Sequence, residues 1–134
     1  MRTCAVAGVV PILDAHLPED LDSSRPWYAM PVCRPLSEHL AGQNIHAVVA
    51  AIATIADTLA LLHADDITHR DIKPANLHGG ADGKLRILDL GVALNPWTDE
   101  GARGNAGTPS FMAPELFGGE PANGQSDLYA AGVT

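Results

Sequence analysis

The chain has 134 residues, 46% hydrophobic, 18% charged and 4% aromatic, which suffices for a core and limits the chain to one domain or part of one. Lys and Arg number 8 against 16 Asp and Glu, and the resulting formal charge of −8 repels phosphate backbones, so nucleic-acid binding is excluded as a first reading. Two cysteines, Cys4 and Cys33, make neither a CxxC pair nor a zinc set, which excludes disulfide-rich and zinc-finger classes.

The N-terminal stretch does not read as a signal peptide, because Pro11 and Asp14 interrupt a short apolar run. Val9, Val10, Ile12 and Leu13 are apolar and largely β-branched, and predict a strand. Leu17 to Pro26 reads as a loop, and Trp27 to Val32 as a second strand, with Pro31 at its edge or end. Pro35 to Ala41 predicts one or two helical turns with Pro35 at the first position.

The clearest element runs from Asn44 to His63. Asn44 is a good N-cap, and Ile45, Val48, Val49, Ile52, Ile55, Ala56, Leu59 and Leu62 recur at three- and four-residue spacing. So broad an apolar face is expected to pack as core in the middle of something larger. His46, Thr54, Asp57 and Thr58 make this stretch too polar for a membrane span, so the expectation is a soluble protein of a reducing cytoplasm.

Gly79, Gly80, Asp82 and Gly83 mark a tight turn, and Leu85, Ile87 and Leu88 a short strand, so Ala75 to Leu90 predicts a hairpin. Asn95 to Pro109 predicts a long loop. Ser126 reads as the N-cap of a helix beginning at Asp127. The sequence stops inside that helix, as an incomplete domain would.

Chemistry concentrates in His69-Arg70-Asp71-Ile72-Lys73-Pro74-Ala75-Asn76, which fits H-R-D-x-x-x-x-N. Asp89-Leu90-Gly91 follows in the place of D-F-G, then Gly107-Thr108, then Ala113-Pro114-Glu115 as A-P-E. Ser126-Asp127 to Gly132-Val133 fits S-D-x-x-x-x-G-V. Four signatures in this order leave no room for coincidence. The chain resembles a eukaryotic-like (Hanks-type) serine/threonine protein kinase domain from about Gly8 to Thr134.

That resemblance implies an α+β, protein-kinase-like fold holding the end of the small lobe and the first part of the helical large lobe. Residues 1–33 would be small-lobe strands and hinge, and 34–134 an incomplete catalytic lobe. It implies ATP- and Mg2+-dependent phosphoryl transfer to Ser or Thr hydroxyls of a protein substrate. Phosphoryl transfer depends on in-line positioning and charge cancellation more than on covalent help. Asp71 would accept and orient the substrate hydroxyl proton, and Asn76 and Asp89 would hold Mg2+ as hard oxygen ligands. Lys73 would lie against the γ-phosphate, and Thr108 would meet Asp71 and Lys73. Met30 would stand at the gatekeeper position. Pro31 C=O and Cys33 N–H would take adenine at the hinge, where Pro31 lacks no needed donor. Asp127 would tie the catalytic-loop backbone, and Arg70 could hold a phosphorylated activation loop, with Thr98 and Ser110 as acceptors and Thr108 a weaker one.

The sequence also departs from the family pattern. It has no G-x-G-x-x-G, and its only lysines, Lys73 and Lys84, both lie beyond the hinge, so no V-A-I-K lysine is present. The arginine partner of Glu115 would fall in helices beyond Thr134. This chain alone is therefore expected to be inactive or barely active. The alternative is a non-catalytic, pseudokinase-like interaction or regulatory remnant. A small-molecule kinase of related fold fits less well, since such enzymes usually lack A-P-E. His16, His39, His46, His63 and His78 have no metal-ligand spacing and read as ordinary, and Cys33 reads as a buried hinge residue.

Overall fold

The computed structural model describes residues 6–18, 24–88 and 107–134. Asp89, Leu90, Gly91, Thr98 and most of the long loop from Asn95 lie outside the described residues.

The longest element among the described residues is helix α2, Ile45–Ala64, which follows three short strands and the short helix α1, Leu36–His39. The Asn44 side chain caps α2 by accepting from the Ala47 N–H at 3.1 Å, as its residue type predicts. At the other end Ile67 N–H reaches Leu62 C=O and Asp66 N–H reaches His63 C=O. With Asp66 at φ 57°, this is a Schellman ending in which Asp takes the left-handed position usually given to Gly. The turn delivers the chain directly into the catalytic loop.

Core packing departs from the expected stripe. Ile55, Leu59 and Leu62 are fully buried against Ile72, Leu77, Ile87, Ala130 and Ala131. Ile45 and Val49, predicted on the same face, are 69% and 61% exposed. The strand Leu85–Ile87 and the helix Gly124–Val133 pack on α2, and the buried positions of α2 all fall between Ala51 and Leu62. By length and composition α2 is apolar enough to cross a membrane, with a mean hydropathy of 2.0 over its most apolar window. The polar residues alone therefore do not exclude a span. From Ala51 onward one side of the helix packs in the core, and 22% of that window is buried.

The described residues form two small sheets, and the one holding Leu85–Ile87 packs on this helix. Strand β1, Asp14–His16, pairs antiparallel with β2, Trp27–Ala29, in the register Asp14↔Ala29 to His16↔Trp27. The predicted first strand starts earlier in sequence, at Val9. Pro11 has no N–H to continue a ladder, so Val9 makes only an isolated parallel bridge to Ile87, and pairing with β2 begins past it. The second strand stops at Ala29, ahead of Pro31.

Strand β3, Arg34–Pro35, pairs with β4, Leu77–Gly79, which pairs with β5, Leu85–Ile87. The β4–β5 hairpin is the one predicted. Pro35 ends β3 and stands at the N-cap of α1 rather than inside it.

Helix α3, Pro114–Phe117, precedes α4, Gly124–Val133. Here the predicted boundary is corrected. Asn123 is the cap, accepting from Gln125 N–H at 2.8 Å and Ser126 N–H at 3.2 Å, while Ser126 Oγ accepts from Asn123 N–H at 3.1 Å. In this capping box Ser126 is the third helical residue, so α4 begins three residues earlier than expected.

Candidate active site

The catalytic loop leaves α2 at Asp65 and enters β4 at Leu77 through a 3-10 turn, Pro74–Asn76. Its backbone is held by one buried carboxylate. Asp127, in the first turn of α4 and 1% exposed, accepts from His69 N–H and from Arg70 N–H, each at 2.8 Å. Arg70 has φ 72°, a left-handed conformation that costs a non-glycine residue roughly 1–2 kcal/mol and persists only where surroundings impose it. The two bonds to Asp127 impose it. This is the role the resemblance assigned to Asp127.

His69 is fully buried and its tautomer follows from its partners. Nδ1 accepts from Asp71 N–H at 3.3 Å, so Nε2 carries the proton and donates to Leu88 C=O at 3.1 Å. The ring thereby links the loop to the residue that follows β5.

Four predicted side chains converge. Lys73 Nζ lies 2.7 Å from Asp71 Oδ2 and donates to Thr108 Oγ1 at 2.7 Å. The Thr108 hydroxyl donates to Asp71 Oδ1 at 2.8 Å. Asn76 Nδ2 donates to Asp71 Oδ2 at 3.1 Å and to the Asp71 carbonyl at 2.7 Å. Burial by itself would raise the Asp71 pKa. The hydrogen bonds from Lys73, Thr108 and Asn76, with the charge of Lys73, more than offset this and hold the carboxyl below the usual aspartate range. Asp71 is thus ionised at neutral pH and aimed by three donors, a state suited to orienting a hydroxyl.

Thr108 comes from far along the chain and is brought in by Gly107. A Cβ at Gly107 would stand 2.6 Å from the Arg70 carbonyl oxygen, and its φ of 129° is foreign to other residues. Only glycine lets the two loops touch.

The donor chemistry suits a magnesium ion as far as the described residues reach. Asn76 spends its Nδ2 on Asp71, which leaves its Oδ1, a hard neutral oxygen, to face a cation. Asp89, its predicted partner, lies outside the described residues. No cluster of three or more His, Cys, Asp and Glu able to hold a metal occurs among the described residues, and a site completed by phosphate oxygens and water requires none.

The hinge residues lie between β2 and β3. Met30 is 43% exposed, and Pro31 and Cys33 are half-buried, Cys33 less enclosed than expected. Cys33 Sγ is 3.5 Å from the Pro31 carbonyl, a weak contact that leaves room for another donor. Arg34↔Gly79 and Pro35↔His78 pairing ties the hinge to the strand that begins one residue after Asn76. A cavity of about 1150 Å3 lies elsewhere, between residues 6–11, α1 and the Ala47, Ala50 and Ala51 side of α2, and none of the predicted site residues lines it. A much smaller one, about 10 Å3, adjoins Asp71, Gly107 and Thr108.

One polar contact of α2 has no signal in the sequence. His63 places Nε2 2.9 Å from Asp127 Oδ2. The partners are 64 positions apart, and no spacing rule joins them.

Comparison with known proteins agrees with this geometry. The protein kinase domain family matches residues 32–134. The chain is 35% identical over 137 aligned positions to the DNA damage-responsive serine/threonine-protein kinase RqkA of Deinococcus radiodurans, an alignment covering 94% of this chain and 20% of that protein. It is 38% identical over 96 positions to the serine/threonine-protein kinase Pkn1 of Myxococcus xanthus, covering 65% and 14%. It is 45% identical over 83 positions to the rhodopsin kinase GRK1 of Rattus norvegicus, covering 61% and 15%. The chain thus spans about a fifth or less of the length of these curated relatives. A catalytic loop tied to Asp127 and closed by Thr108, within a span matched from the hinge onward, places the chain in the protein kinase family, among its serine/threonine members.

Proposed function

We propose that this site transfers the γ-phosphoryl group of ATP to a Ser or Thr hydroxyl of a protein substrate. The reading rests on one observation: Asp71, Lys73, Asn76 and Thr108 share a single hydrogen-bonded cluster although Thr108 is remote in sequence. Asp71 orients the substrate hydroxyl and receives its proton late in the transfer, since its depressed pKa makes it a weak proton sink beforehand. Lys73 steadies the γ-phosphate by charge. Thr108 fixes the spacing between the two and walls the pocket beside the incoming hydroxyl. Asn76 and Asp89 would hold Mg2+, which would cancel phosphate charge when bound. Pro31 C=O and Cys33 N–H take the adenine edge, with Met30 behind them. In this reading residues 1–33 are small-lobe strands and hinge, residues 34–134 belong to the large lobe, and the protein works in the cytoplasm.

The test is transfer of labelled phosphate from Mg-ATP to a protein acceptor, with Asp71→Asn as control. No lysine precedes residue 73, so slow turnover is expected and a binding readout accompanies the assay. Mg-ATP, but not ATP with EDTA, is expected to shift the Asn76 side-chain amide resonance. Transfer that Asp71→Asn leaves unchanged, or an Asn76 resonance that ignores Mg-ATP, overturns the proposal.

A further inference from the structure

The cavity of about 1150 Å3 beside α2 is larger than the roughly 300–1,000 Å3 that a single small ligand fills. Residues 6–11 form one wall, residues 47–61 of α2 a second and residues 83–86 of the hairpin a third. Ala50, Thr54 and Leu61 are exposed, so the hollow is a groove open to solvent. Its floor is largely apolar, with Ala47, Ala50, Ala51 and Leu61 from α2 and Val6 and Pro11 from the first wall.

The walls leave the backbone of a newcomer little to pair with. Thr54 Oγ1 donates to Ala50 C=O at 3.0 Å and Thr58 Oγ1 to Thr54 C=O at 2.9 Å, so both hydroxyl protons are spent on α2 itself. On the first wall Val9 N–H goes to Val6 C=O and Val10 N–H to Ile87 C=O, and Pro11 has no N–H. A strand laid in the groove would find no row of donors to join. A segment that enters must therefore satisfy its own backbone, and a helix does so.

Two charges mark the rim. Asp57 stands on α2 and Lys84 on the hairpin, both exposed, and neither side chain belongs to an ion pair among the described residues. Arg86, the other cation on the hairpin wall, is already committed to Asp82 by bonds of 2.7 and 2.9 Å. The groove thus offers an apolar floor between one anionic and one cationic edge.

We infer that this groove docks an amphipathic helix of a partner protein, its apolar face on α2, a basic residue toward Asp57 and an acidic residue toward Lys84. Asp71, Lys73, Asn76 and Thr108 lie outside the groove, so the partner leaves the catalytic cluster open.

The experiment is proton–nitrogen NMR titration of the full chain with synthetic leucine–alanine peptides of about 16 residues, long enough to hold a helix. One carries a lysine near one end and a glutamate near the other, a second lysine at both ends and a third glutamate at both; a fourth repeats the first with two central prolines. The mixed peptide is expected to bind the parent chain tightest and to shift the Ala47, Ala50, Ala51 and Thr54 amides. Ala50→Trp fills the groove and is expected to weaken it at least about tenfold. Asp57→Lys is expected to move the preference to the glutamate peptide, and Lys84→Glu to the lysine peptide. All three replaced residues are exposed, and unchanged Ile55 and Leu59 resonances verify that each variant keeps the fold. No shift with the mixed peptide, shifts confined to the exposed Ile45 and Val49 outside the groove, equal binding of the proline-broken peptide, or a preference that neither charge variant moves overturns the inference. Binding is read without nucleotide, so this result stands apart from the Asp71→Asn assay that judges the phosphoryl-transfer reading.

Discussion

Replacing Asp127 by Asn exchanges one carboxylate oxygen for an NH2 group and tests what holds the catalytic loop. The carboxylate is 1% exposed and has three donors, two on Oδ2 and one on Oδ1. An amide has one accepting oxygen. If that oxygen takes the place of Oδ2, the new NH2 faces the Arg70 N–H, and a buried donor is left without an acceptor. If it takes the place of Oδ1, His69 N–H and His63 lose theirs. Either orientation forfeits at least one hydrogen bond to a charged group, roughly 1.5–3 kcal/mol, and strands a buried donor at roughly 1–3 kcal/mol. The expected loss is about 3–5 kcal/mol, in line with breaking buried charged pairs generally. That is a large share of the roughly 5–15 kcal/mol by which folded domains are stable. Part of it should be local, because Arg70 at φ 72° relaxes once its amide is released. Urea unfolding of Asp127→Asn beside the parent chain measures the loss, and amide exchange at Arg70 the local part. A loss below about 1 kcal/mol would show that the loop is held by something other than this carboxylate.

Three further outcomes are expected. Lys73→Met removes the strongest of the influences that hold Asp71 down and leaves burial to act, so the carboxyl pKa is expected to rise, as read by carbon NMR; an unchanged titration refutes the pairing. Burial lowers the His78 pKa from 6.5, so the unfolded chain binds its proton more readily; stability from this group is complete above about pH 6.5 and declines as pH falls through the folded value. His78→Leu is therefore expected to flatten the stability–pH curve just below pH 6.5, and a curve of unchanged slope would rule the burial effect out. Gly107→Ala is expected to cost more than Gly42→Ala, each compared with the parent by urea unfolding. Both positions have positive φ, at a cost of about 1 kcal/mol, but only Gly107 has a backbone oxygen in the way of a Cβ. Equal costs would mean that the approach to Arg70 is not tight.

What could be read from the sequence was what lies close together along it. Asp71, Lys73 and Asn76 share one loop, and the loop's geometry follows from its length, so their convergence was legible before any fold was known. Asn44 and the hairpin turn at Gly80–Gly83 were legible for the same reason: a cap and a tight turn are contracts between near neighbours. Boundaries failed where two local signals competed. Asn123 and Ser126 are both good caps, and only the reciprocal bonds show that Asn123 takes the end and Ser126 the third position. Pro11 interrupts a ladder as well as an apolar run, which is why β1 starts beyond the β-branched residues that suggest it.

The least legible part was the support behind the loop. Asp127 is legible only through resemblance and the His63 contact not at all, because nothing in an apolar helical stripe says which of its polar residues will face a carboxylate 64 positions away. The same limit explains the exposed Ile45 and Val49. Periodicity says that a face is apolar, while burial depends on how far the packed elements extend along it, and the core contacts of α2 begin only at Ala51. A helix read from its pattern alone therefore overstates its core and understates its polar anchors. In this chain both errors fall on α2, the element that links the core to the catalytic loop. Its apolar residues set where the loop starts, and its terminal histidine lies 2.9 Å from the carboxylate that holds the loop backbone.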